Sequence, residues 1–327
     1  MALFQKVEPT VCESTAPAVE EMHATENVNT TKADVQQKHT VSVIVATYRR
    51  EERLRQALES LTQQSYDAVE IVVVDDNADA EWNKTVQAIV ADFPQVVYVC
   101  NAQNKGSATS RNIGIQAATG EYVTFLDDDD VYLPQKIERQ VRAMVEAGAD
   151  YGLTDLYLYW ENGRPADRRI RKYIKKTDPA SLMEYHLLYH MTGTDSFMFR
   201  RDYLLQIGCF DAIDVGDEYY LMHKAIRAGG KMRYLPGCDI RAHIHTAEGG
   251  LSSGQGKIDG ENQLYLFKQE FLRELPAKSR RYVRMRHHAV IAFAYLRMHR
   301  WGAFVRECVL SFVASPVRCI GLFLQQL

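Results

Sequence analysis

The chain has 327 residues, 46% of them hydrophobic and 25% charged, with a formal net charge of −3 at pH 7. These values are ordinary for a soluble globular protein with one large domain or two modest ones, and the net charge favours no class of partner. The six cysteines include no CxxC pair and no metal-ligand spacing, so they indicate neither a zinc site nor a disulfide framework and favour a reduced, cytoplasmic setting.

Residues 1–40 are polar and lack hydrophobic periodicity. We interpret them as a disordered extension, with a partner-binding arm as the alternative. They contain no basic region followed by an apolar core, so no secretory signal is predicted. At the other end, Pro316 and Arg318 interrupt the apolar stretch after Glu307, which leaves ten uncharged residues where a membrane span needs about 20. We therefore expect no transmembrane helix.

Between Val41 and Asp150, β-branched apolar runs alternate with helical patterns. The runs are apolar at nearly every position, as in strands of a parallel sheet that helices cover on both faces. The pattern predicts an α/β doubly wound half over residues 41–150. The predicted strands are Val41–Ala46, Glu70–Val74, Val96–Val99 and Tyr122–Leu126, and the predicted helices lie around residues 54–61, 86–90, 108–118 and 137–145.

After Asp150 the pattern is looser, and we predict a mixed-sheet subdomain on the same core over residues 151–260. Its signals are a turn at residues 161–163, a strand at Ser196–Phe199, helices near 202–206 and 217–228, and a glycine-rich loop around 248–256. Residues 261–327 are predicted to form amphipathic helices.

The C-terminal helices are strongly basic. The segment from Arg273 to Arg318 contains ten Lys and Arg residues and two Glu residues, a formal excess of +8. Such a segment suits nucleic acid, anionic lipid or an acidic substrate, and plain packing with solvated arginines is the alternative.

Two acidic clusters directly follow predicted strands, Asp75-Asp76 after the second and Asp127–Asp130 after the fourth. The carboxyl ends of strands in an open α/β sheet meet at one rim, so these carboxylates are expected to converge. Carboxylates at such short distances raise one another's pKa unless a cation lies between them. The two clusters therefore predict a bound Mg²⁺ or Mn²⁺ ion. The alternative is an acidic cap on a helix near Pro134. An EF-hand loop is excluded because Tyr132 stands where glycine is required.

The segment Asn101–Gly114 lies between the two clusters and reads NAQNKGSATSRNIG. Lys105 and Arg111 supply cations, and Gly106 permits close approach of the backbone. The helix that begins near Ser107 directs free N–H groups outward, and these features suit a diphosphate. The spacing is not that of a Walker A motif.

Three ordered stretches carry a family resemblance: VSVIVATYRR, IVVVDDNAD and NKGSATSRNIGIQAATGEYVTFLDDDDVYLP. They resemble the nucleotide-diphosphosugar-binding half of family 2 glycosyltransferases, with the spore-coat polysaccharide glycosyltransferase type as the nearest pattern. The resemblance covers residues 41–150 and continues more weakly into the second half. It implies a GT-A fold, with a Rossmann-like nucleotide-binding half, a mixed central sheet and an acceptor-binding half over residues 151–260.

The resemblance implies a role for each matching residue of the first two stretches. Ala46, Thr47 and Tyr48 would line the base pocket, with the ring of Tyr48 against the nucleobase. Asp76, or alternatively Asp75, would accept a hydrogen bond from uracil.

In the third stretch, the resemblance implies that Arg111 approaches the diphosphate. Asp127 and Asp129 match the two acids of the DxD motif, with Asp129 favoured as the direct metal ligand, and Asp128 would instead contact the ribose. Arg49 stands where the family usually has Asn, which leaves the donor sugar open.

A candidate general base lies in DVGDEYYLMHKAIRAGG, residues 214–230. The family places a carboxylate at the start of such a helix, opposite the donor, and Asp217 matches that place, with Glu218 as the alternative. A base that activates attack from the far face gives inversion at the anomeric carbon. The opposing interpretation is that both acids merely offset the helix dipole.

His243 and His245, in RAHIHTAEGGLSSG, match the place where the family often has a histidine near a mobile loop. Either would add a contact to the metal or the diphosphate, and a histidine without a ligand is the alternative. The glycine-rich run 249–256 would close over the donor and exclude water.

The resemblance thus implies an inverting, metal-dependent transferase that moves one sugar from a UDP-sugar, because the QxxRW motif of processive synthases is absent. A saccharide or a lipid-linked molecule is the expected acceptor, nucleic acid is not an expected partner, and the C-terminal helices would contact the inner membrane face. A sugar-nucleotide nucleotidyltransferase is disfavoured because residues 46–50 lack glycine. A non-catalytic nucleotide-binding protein is disfavoured by the metal acids and the candidate base.

Overall fold

The computed structural model describes residues 39–160, 162–213, 215–244 and 254–326, with side chains as far as residue 321. The expectations for residues 1–38, for His245 and for most of the glycine-rich run fall outside these ranges. The predicted strands and helices of residues 41–150 all fall inside them.

The first half contains the four strands and four helices that the alternating pattern predicts, so this part of the fold is confirmed. A two-residue strand, β5, follows the acidic run and was not predicted. The elements are β1 (Val41–Thr47), α1 (Glu51–Thr62), β2 (Val69–Asp75), α2 (Ala80–Ala91), β3 (Val96–Cys100), α3 (Ser107–Ala117), β4 (Tyr122–Phe125), β5 (Val131–Tyr132) and α4 (Lys136–Ala147).

The strands β1 and β2 are buried on both faces because each contributes to two separate apolar cores. Val43 and Val73 pack in one core with Leu54 of α1. Ile44 lies in the other core with Ile115 of α3. Burial of each such side chain stabilises the fold by about 1.5–3 kcal/mol. This double burial is the physical reason for the unbroken apolar runs in the sequence.

The helix α3 approaches β1 closely because residue 114 is glycine. A Cβ atom at Gly114 would collide with the Ile44 side chain and lie 3.2 Å from Val74 Cγ2. The close packing fixes α3 against the sheet, with its amino-terminal end at the rim where β1 and β2 end.

The second half completes the same sheet, and a mixed central sheet is thereby confirmed. The strand order is β10-β6-β9-β4-β1-β2-β3, in which β9 runs antiparallel to β4 and β6 and the other neighbours pair in parallel. The elements of this half are β6 (Tyr151–Thr154), β7 (Leu156–Trp160), β8 (Pro165–Arg169), α5 (Pro179–Tyr189), β9 (Phe197–Arg200), α6 (Arg201–Gln206), α7 (Asp217–Arg227), β10 (Met232–Leu235) and β11 (Ile240–Ile244).

A second, four-stranded sheet has the order β5-β11-β7-β8. Strands β7 and β8 form a hairpin at the turn that the sequence predicts, where Gly163 has a φ of 75°. Strand β11 pairs with β5, with Ile240 opposite Tyr132. Because β5 directly follows the acidic run, this pairing brings His243 of β11 to the carboxylates.

Four helices follow: α8 (Gly254–Leu272), α9 (Ala277–Arg297), α10 (Trp301–Ala314) and α11 (Pro316–Gln326). The helix α8 runs across residue 260, so the expected boundary between the second half and the C-terminal helices falls within a helix. Among the described residues, no helix has the length and apolarity that a membrane crossing requires.

Candidate active site

The carboxyl ends of β1, β2 and β4 meet at one rim of the central sheet. The register pairs Thr47 of β1 with Asp75 of β2, and it pairs Ile44 of β1 with Phe125 of β4. Both acidic clusters follow these strand ends. They therefore lie along the same rim, where ligands bind in open α/β sheets.

The first acidic cluster is engaged by the chain itself. Asp75 is fully buried, and its two oxygens accept hydrogen bonds from the Tyr98 hydroxyl and the Asn77 side chain, each at 2.7 Å. Asp76 accepts the backbone N–H groups of residues 105 and 106 at 2.8 and 2.9 Å and so fixes the loop before α3, where Gly106 has a φ of 79°. Both acids thus have structural contacts, and a hydrogen bond from uracil to Asp76, or alternatively to Asp75, stays a prediction.

The chain after β1 presents an aromatic ring at the rim. Tyr48 is 44% exposed, whereas Thr47 is buried beneath it and Ala46 is half-buried. The Arg49 guanidinium lies 5.1 Å from the centroid of the Tyr48 ring, and the Arg49 backbone N–H donates to Asn77 Oδ1 at 2.8 Å. This turn presents the Tyr48 ring at the rim, and stacking of the ring on a nucleobase stays a prediction.

Arg50 ties this turn to the second acidic cluster. Its Nη1 atom lies 3.0 Å from Asp128 Oδ1 and also contacts Asp129 Oδ2. Asp128 accepts the backbone N–H of Tyr48 at 3.1 Å as well. Burial raises the pKa of Asp128 to about 6, although Arg50 acts in the opposite direction. Arg50 therefore pairs with two of the four adjacent carboxylates.

Arg111 of α3 joins the two halves of the site. Its Nη2 atom lies 2.7 Å from Asp127 Oδ1, and its Nη1 atom lies 3.0 Å from Asp217 Oδ2. The side chain is buried, which alone would lower the pKa of Arg111, but the two carboxylates outweigh burial and raise it. One guanidinium thus bridges a DxD acid and the candidate base. Contact with a diphosphate stays a prediction.

Asp217 begins α7 directly after Gly216, which has a φ of 89°. The Asp217 side chain is buried, and burial raises its pKa to about 6 while Arg111 acts in the opposite direction. A carboxylate with this pKa is ionised at neutral pH and is a better proton acceptor than an ordinary aspartate. The environment of Asp217 therefore suits a general base.

Glu218 has a different environment. Its Oε2 atom accepts the backbone N–H of Gly193 at 2.8 Å and the hydroxyl of Thr194 at 3.2 Å. These bonds hold the loop that precedes β9. Of the two candidate bases, Asp217 contacts the cation of the site and Glu218 has a structural contact.

Three carboxylates come together next to Arg111. One oxygen from each of Asp127, Asp130 and Asp195 lies within 4.8 Å of the others. Asp195, in the 3₁₀ turn Thr194–Ser196, accepts the backbone N–H of Asp127 at 2.8 Å. Burial, together with the neighbouring carboxylates, raises the pKa of both Asp130 and Asp195. Oxygen ligands crowded in this way fit Mg²⁺ or Mn²⁺, whose charge would offset the repulsion.

The metal ligands predicted from the sequence were Asp127 and Asp129, with His243 or His245. Of the three that lie within the described residues, the structure groups Asp127 with two further acids, Asp130 and Asp195. The ring atom Nδ1 of His243 lies 2.7 Å from the backbone oxygen of Asp129. The backbone N–H of His243 donates to Asp130 Oδ1, also at 2.7 Å. A carbonyl oxygen only accepts, so Nδ1 carries the hydrogen and Nε2 of the neutral ring keeps its lone pair. This tautomer is the one that ligates a metal through Nε2.

The acidic run does not cap the following helix, so that interpretation is wrong. The helix α4 begins at Lys136, beyond β5, and the residue before it, Gln135, makes no side-chain capping bond. The carboxylates instead contact groups of the site: Arg111 for Asp127, Tyr48 and Arg50 for Asp128, Arg50 for Asp129 and His243 for Asp130.

Two residues of the site, Arg50 and Asp195, were not predicted from the sequence. Arg50 is the second of two adjacent arginines after β1, and the pattern does not tell which of them turns toward the acids. Asp195 precedes β9, and β9 runs antiparallel to β4. Its amino end therefore lies at the rim where β4 has its carboxyl end. Only the strand direction could have identified Asp195.

The fold is that of GT-A glycosyltransferases. The structure is similar to the crystal structure of S. aureus TarS 1-349 in complex with UDP-GlcNAc, with a TM-score of 0.58 and 20% identity over 86% of this chain and 83% of that chain. It is also similar to the mannosyltransferase PcManGT from Pyrobaculum calidifontis in complex with GDP-Man and Mn²⁺, with a TM-score of 0.54 and 17% identity over 89% of this chain and 80% of that one.

The model of the family described as Glycosyl transferase family 2 matches residues 42–208, and the chain belongs to this family. The resemblance carried by the three sequence stretches is thereby confirmed. Succinoglycan biosynthesis protein ExoO of Rhizobium meliloti is 29% identical over 221 residues, which cover 65% of this chain and 62% of ExoO. Amylovoran biosynthesis glycosyltransferase AmsE of Erwinia amylovora is 28% identical over 234 residues, which cover 69% of this chain and 85% of AmsE. The chain thus spans less than two thirds of the length of ExoO.

Proposed function

We propose that the chain is an inverting, metal-dependent glycosyltransferase that moves one sugar from a UDP-sugar to a hydroxyl group of a saccharide or lipid-linked acceptor. The bridge from Asp127 through Arg111 to Asp217 carries this proposal. It joins an acid of the DxD motif to a buried carboxylate with a pKa of about 6. Glycosyl transfer needs charge stabilisation at the leaving diphosphate and a base for the attacking hydroxyl, and the bridge joins groups suited to both.

A divalent cation bound at the rim would act as a Lewis acid that stabilises the charge on the leaving diphosphate. Asp127, Asp130 and Asp195 are the acids that the structure groups, and Asp129 and His243 remain the candidates that the resemblance implies. Their oxygens and the Nε2 atom of the histidine are all donors that Mn²⁺ accepts.

The protein's own groups perform the remaining steps. Tyr48 stacks on the nucleobase, and Arg111 contributes positive charge beside the diphosphate. Asp217 takes the proton of the acceptor hydroxyl while the oxygen of that hydroxyl forms a bond to the anomeric carbon. The bond from that carbon to the diphosphate breaks on the opposite side, so the configuration inverts. The raised pKa of Asp217 stabilises the protonated product of this step.

The names of related proteins support the biological setting. ExoO and AmsE are named for succinoglycan and amylovoran biosynthesis, which favours a role in the synthesis of a cell-surface polysaccharide. TarS in complex with UDP-GlcNAc supports UDP as the nucleotide of the donor. The mannosyltransferase in complex with GDP-Man and Mn²⁺ supports a divalent metal and makes GDP the competing nucleotide.

The proposal is tested by thermal-shift screening of UDP, GDP and their sugars with and without Mn²⁺, followed by product analysis with the sugar that stabilises the protein. A ligand at 100 times its Kd raises the free energy of unfolding by about 2.7 kcal/mol. Release of free UDP with an inverted sugar product supports the proposal. Release of pyrophosphate would identify a nucleotidyltransferase, and binding without turnover would identify a non-catalytic nucleotide-binding protein.

A further inference from the structure

The helix α10 has its polarity reversed relative to an ordinary surface helix. Its buried residues are polar, namely Glu307 and Ser311. Glu307 pairs with His288 Nδ1 of α9 at 2.7 Å, and the Ser311 hydroxyl donates to the backbone oxygen of Met285 at 3.0 Å. The side of α10 that packs on α9 is therefore held by polar contacts, whereas a surface helix usually buries its apolar side.

The solvent side of α10 is apolar, and α11 extends it. At 100° per residue, the five exposed residues of α10 at positions 301, 305, 309, 312 and 313 fall within about a third of the helix circumference, so they form one face. An exposed apolar patch of this extent marks a site of interaction. We call it the C-terminal apolar face, and its residues are Trp301, Val305, Val309, Phe312 and Val313 of α10 with Val317 and Ile320 of α11, which are 48–82% exposed.

The charges around this face have one sign. Four arginines at positions 297, 300, 306 and 318 are exposed beside it. The single acid between residues 297 and 321 is Glu307, which is buried and already paired with His288 and Arg306. The described part of α10 and α11 therefore offers apolar and cationic groups to a partner and no exposed carboxylate.

This combination distinguishes between the two simplest occupants of the face. A second copy of the chain would bring two such faces together, with arginines opposite arginines and no exposed carboxylate of these helices to pair with them. An anionic lipid surface satisfies both features, because phosphate groups attract the arginines and the acyl boundary accepts valine and phenylalanine side chains. Trp301, at the start of α10, suits the headgroup level, where tryptophan is enriched.

We propose that the C-terminal apolar face docks on an anionic phospholipid bilayer, with α10 and α11 lying along its surface. The inference rests on the exposure and charge of these helices and is independent of the transfer reaction and its donor.

The test is flotation of the full chain with vesicles of phosphatidylcholine alone or with phosphatidylglycerol. We expect the protein to float with the anionic vesicles only. The triple variant Val305→Ser, Val309→Ser, Val313→Ser should lower partitioning at least about tenfold. The double variant Arg297→Gln, Arg318→Gln should lower it by about fivefold per arginine. The matched control is Leu266→Gln, which changes an apolar residue of α8 that is 56% exposed and lies outside the face, and it should float like the wild type.

The substituted side chains are exposed, so circular dichroism should show every variant folded. The proposal is overturned if the wild type floats with neither vesicle, or if the triple serine variant floats as well as the Leu266→Gln control. It is also overturned if light scattering shows a wild-type dimer that the triple variant converts to a monomer without any flotation, because the face would then join two copies.

Discussion

Replacement of Arg111 by Gln tests how far one guanidinium holds the candidate site together. Gln keeps polar hydrogens at this position but removes the charge, so Asp127 and Asp217 both lose their cation. Removal of one partner from a buried ion pair costs about 3–5 kcal/mol. The side chain of Asp127 is 38% exposed and water screens it in part, so we expect the free energy of unfolding at pH 8 to fall by about 3 kcal/mol.

The same substitution should change the pH dependence of the site. An adjacent arginine lowers the pKa of an aspartate by about 1–3 units, so without Arg111 the pKa of Asp217 should rise from about 6 to about 7 or higher. The folded variant then binds a proton at higher pH than the wild type does. Its loss of stability should therefore be largest at pH 8 and should shrink as the pH falls through 7 toward 6. The acid limb of the pH–rate profile should move upward by at least about one unit.

Urea denaturation at pH 8 and pH 6 measures the stability, and release of nucleoside diphosphate measures the rate. The matched control is Arg55→Gln, which removes an exposed ion pair with Asp92 of similar length, 2.8 Å. Exposed pairs contribute about 0–1 kcal/mol, so this variant should stay close to the wild type. The reasoning is refuted if Arg111→Gln costs no more than the control, or if its stability loss is the same at both pH values.

Three further predictions concern ligand binding, and calorimetry measures each of them. Tyr48→Ala should weaken UDP binding by about 1–3 kcal/mol through loss of stacking, and Tyr48→Phe should retain it; equal affinities would remove Tyr48 from the base pocket. Asp129→Ala should abolish the metal dependence of UDP binding and Asp195→Asn should weaken Mn²⁺ binding, so unchanged metal dependence in both variants would place the metal elsewhere. A chain that begins at Lys38 should bind UDP like the full chain, and a large loss of affinity would show that residues 1–37 contribute to the site.

The sequence predicts the first half of the fold well because burial leaves a clear pattern there. Strands β1 and β2 contact an apolar core on each face, so nearly every residue had to be apolar and the strands could be read directly. The rim position of Asp127 follows from the same pattern, because carboxyl ends of parallel strands lie together.

Other features depend on contacts between distant residues, which a local pattern does not contain. The group of three carboxylates includes Asp195, which is far from Asp127 and Asp130 in the sequence. Asp195 reaches the rim only because β9 is antiparallel to β4. The structural role of Glu218 depends on a backbone N–H 25 positions earlier in the chain, at Gly193. The orientation of α10 could not be predicted either, because polar residues of a surface helix are expected to face solvent. In the structure, Glu307 and Ser311 are instead the buried residues of this helix.

The most direct test of the proposed mechanism compares Asp217→Asn with Glu218→Gln. Both substitutions nearly preserve size and remove a carboxylate, and Gln can still accept the N–H of Gly193. A general base contributes roughly 10²–10⁴-fold in rate. If Asp217 is the base, Asp217→Asn should bind UDP like the wild type, remain folded and lose at least about a hundredfold in transfer rate, while Glu218→Gln stays within about tenfold of the wild type. Transfer that survives in Asp217→Asn but collapses in Glu218→Gln would move the role to the neighbour, and transfer that survives in both would contradict the mechanism.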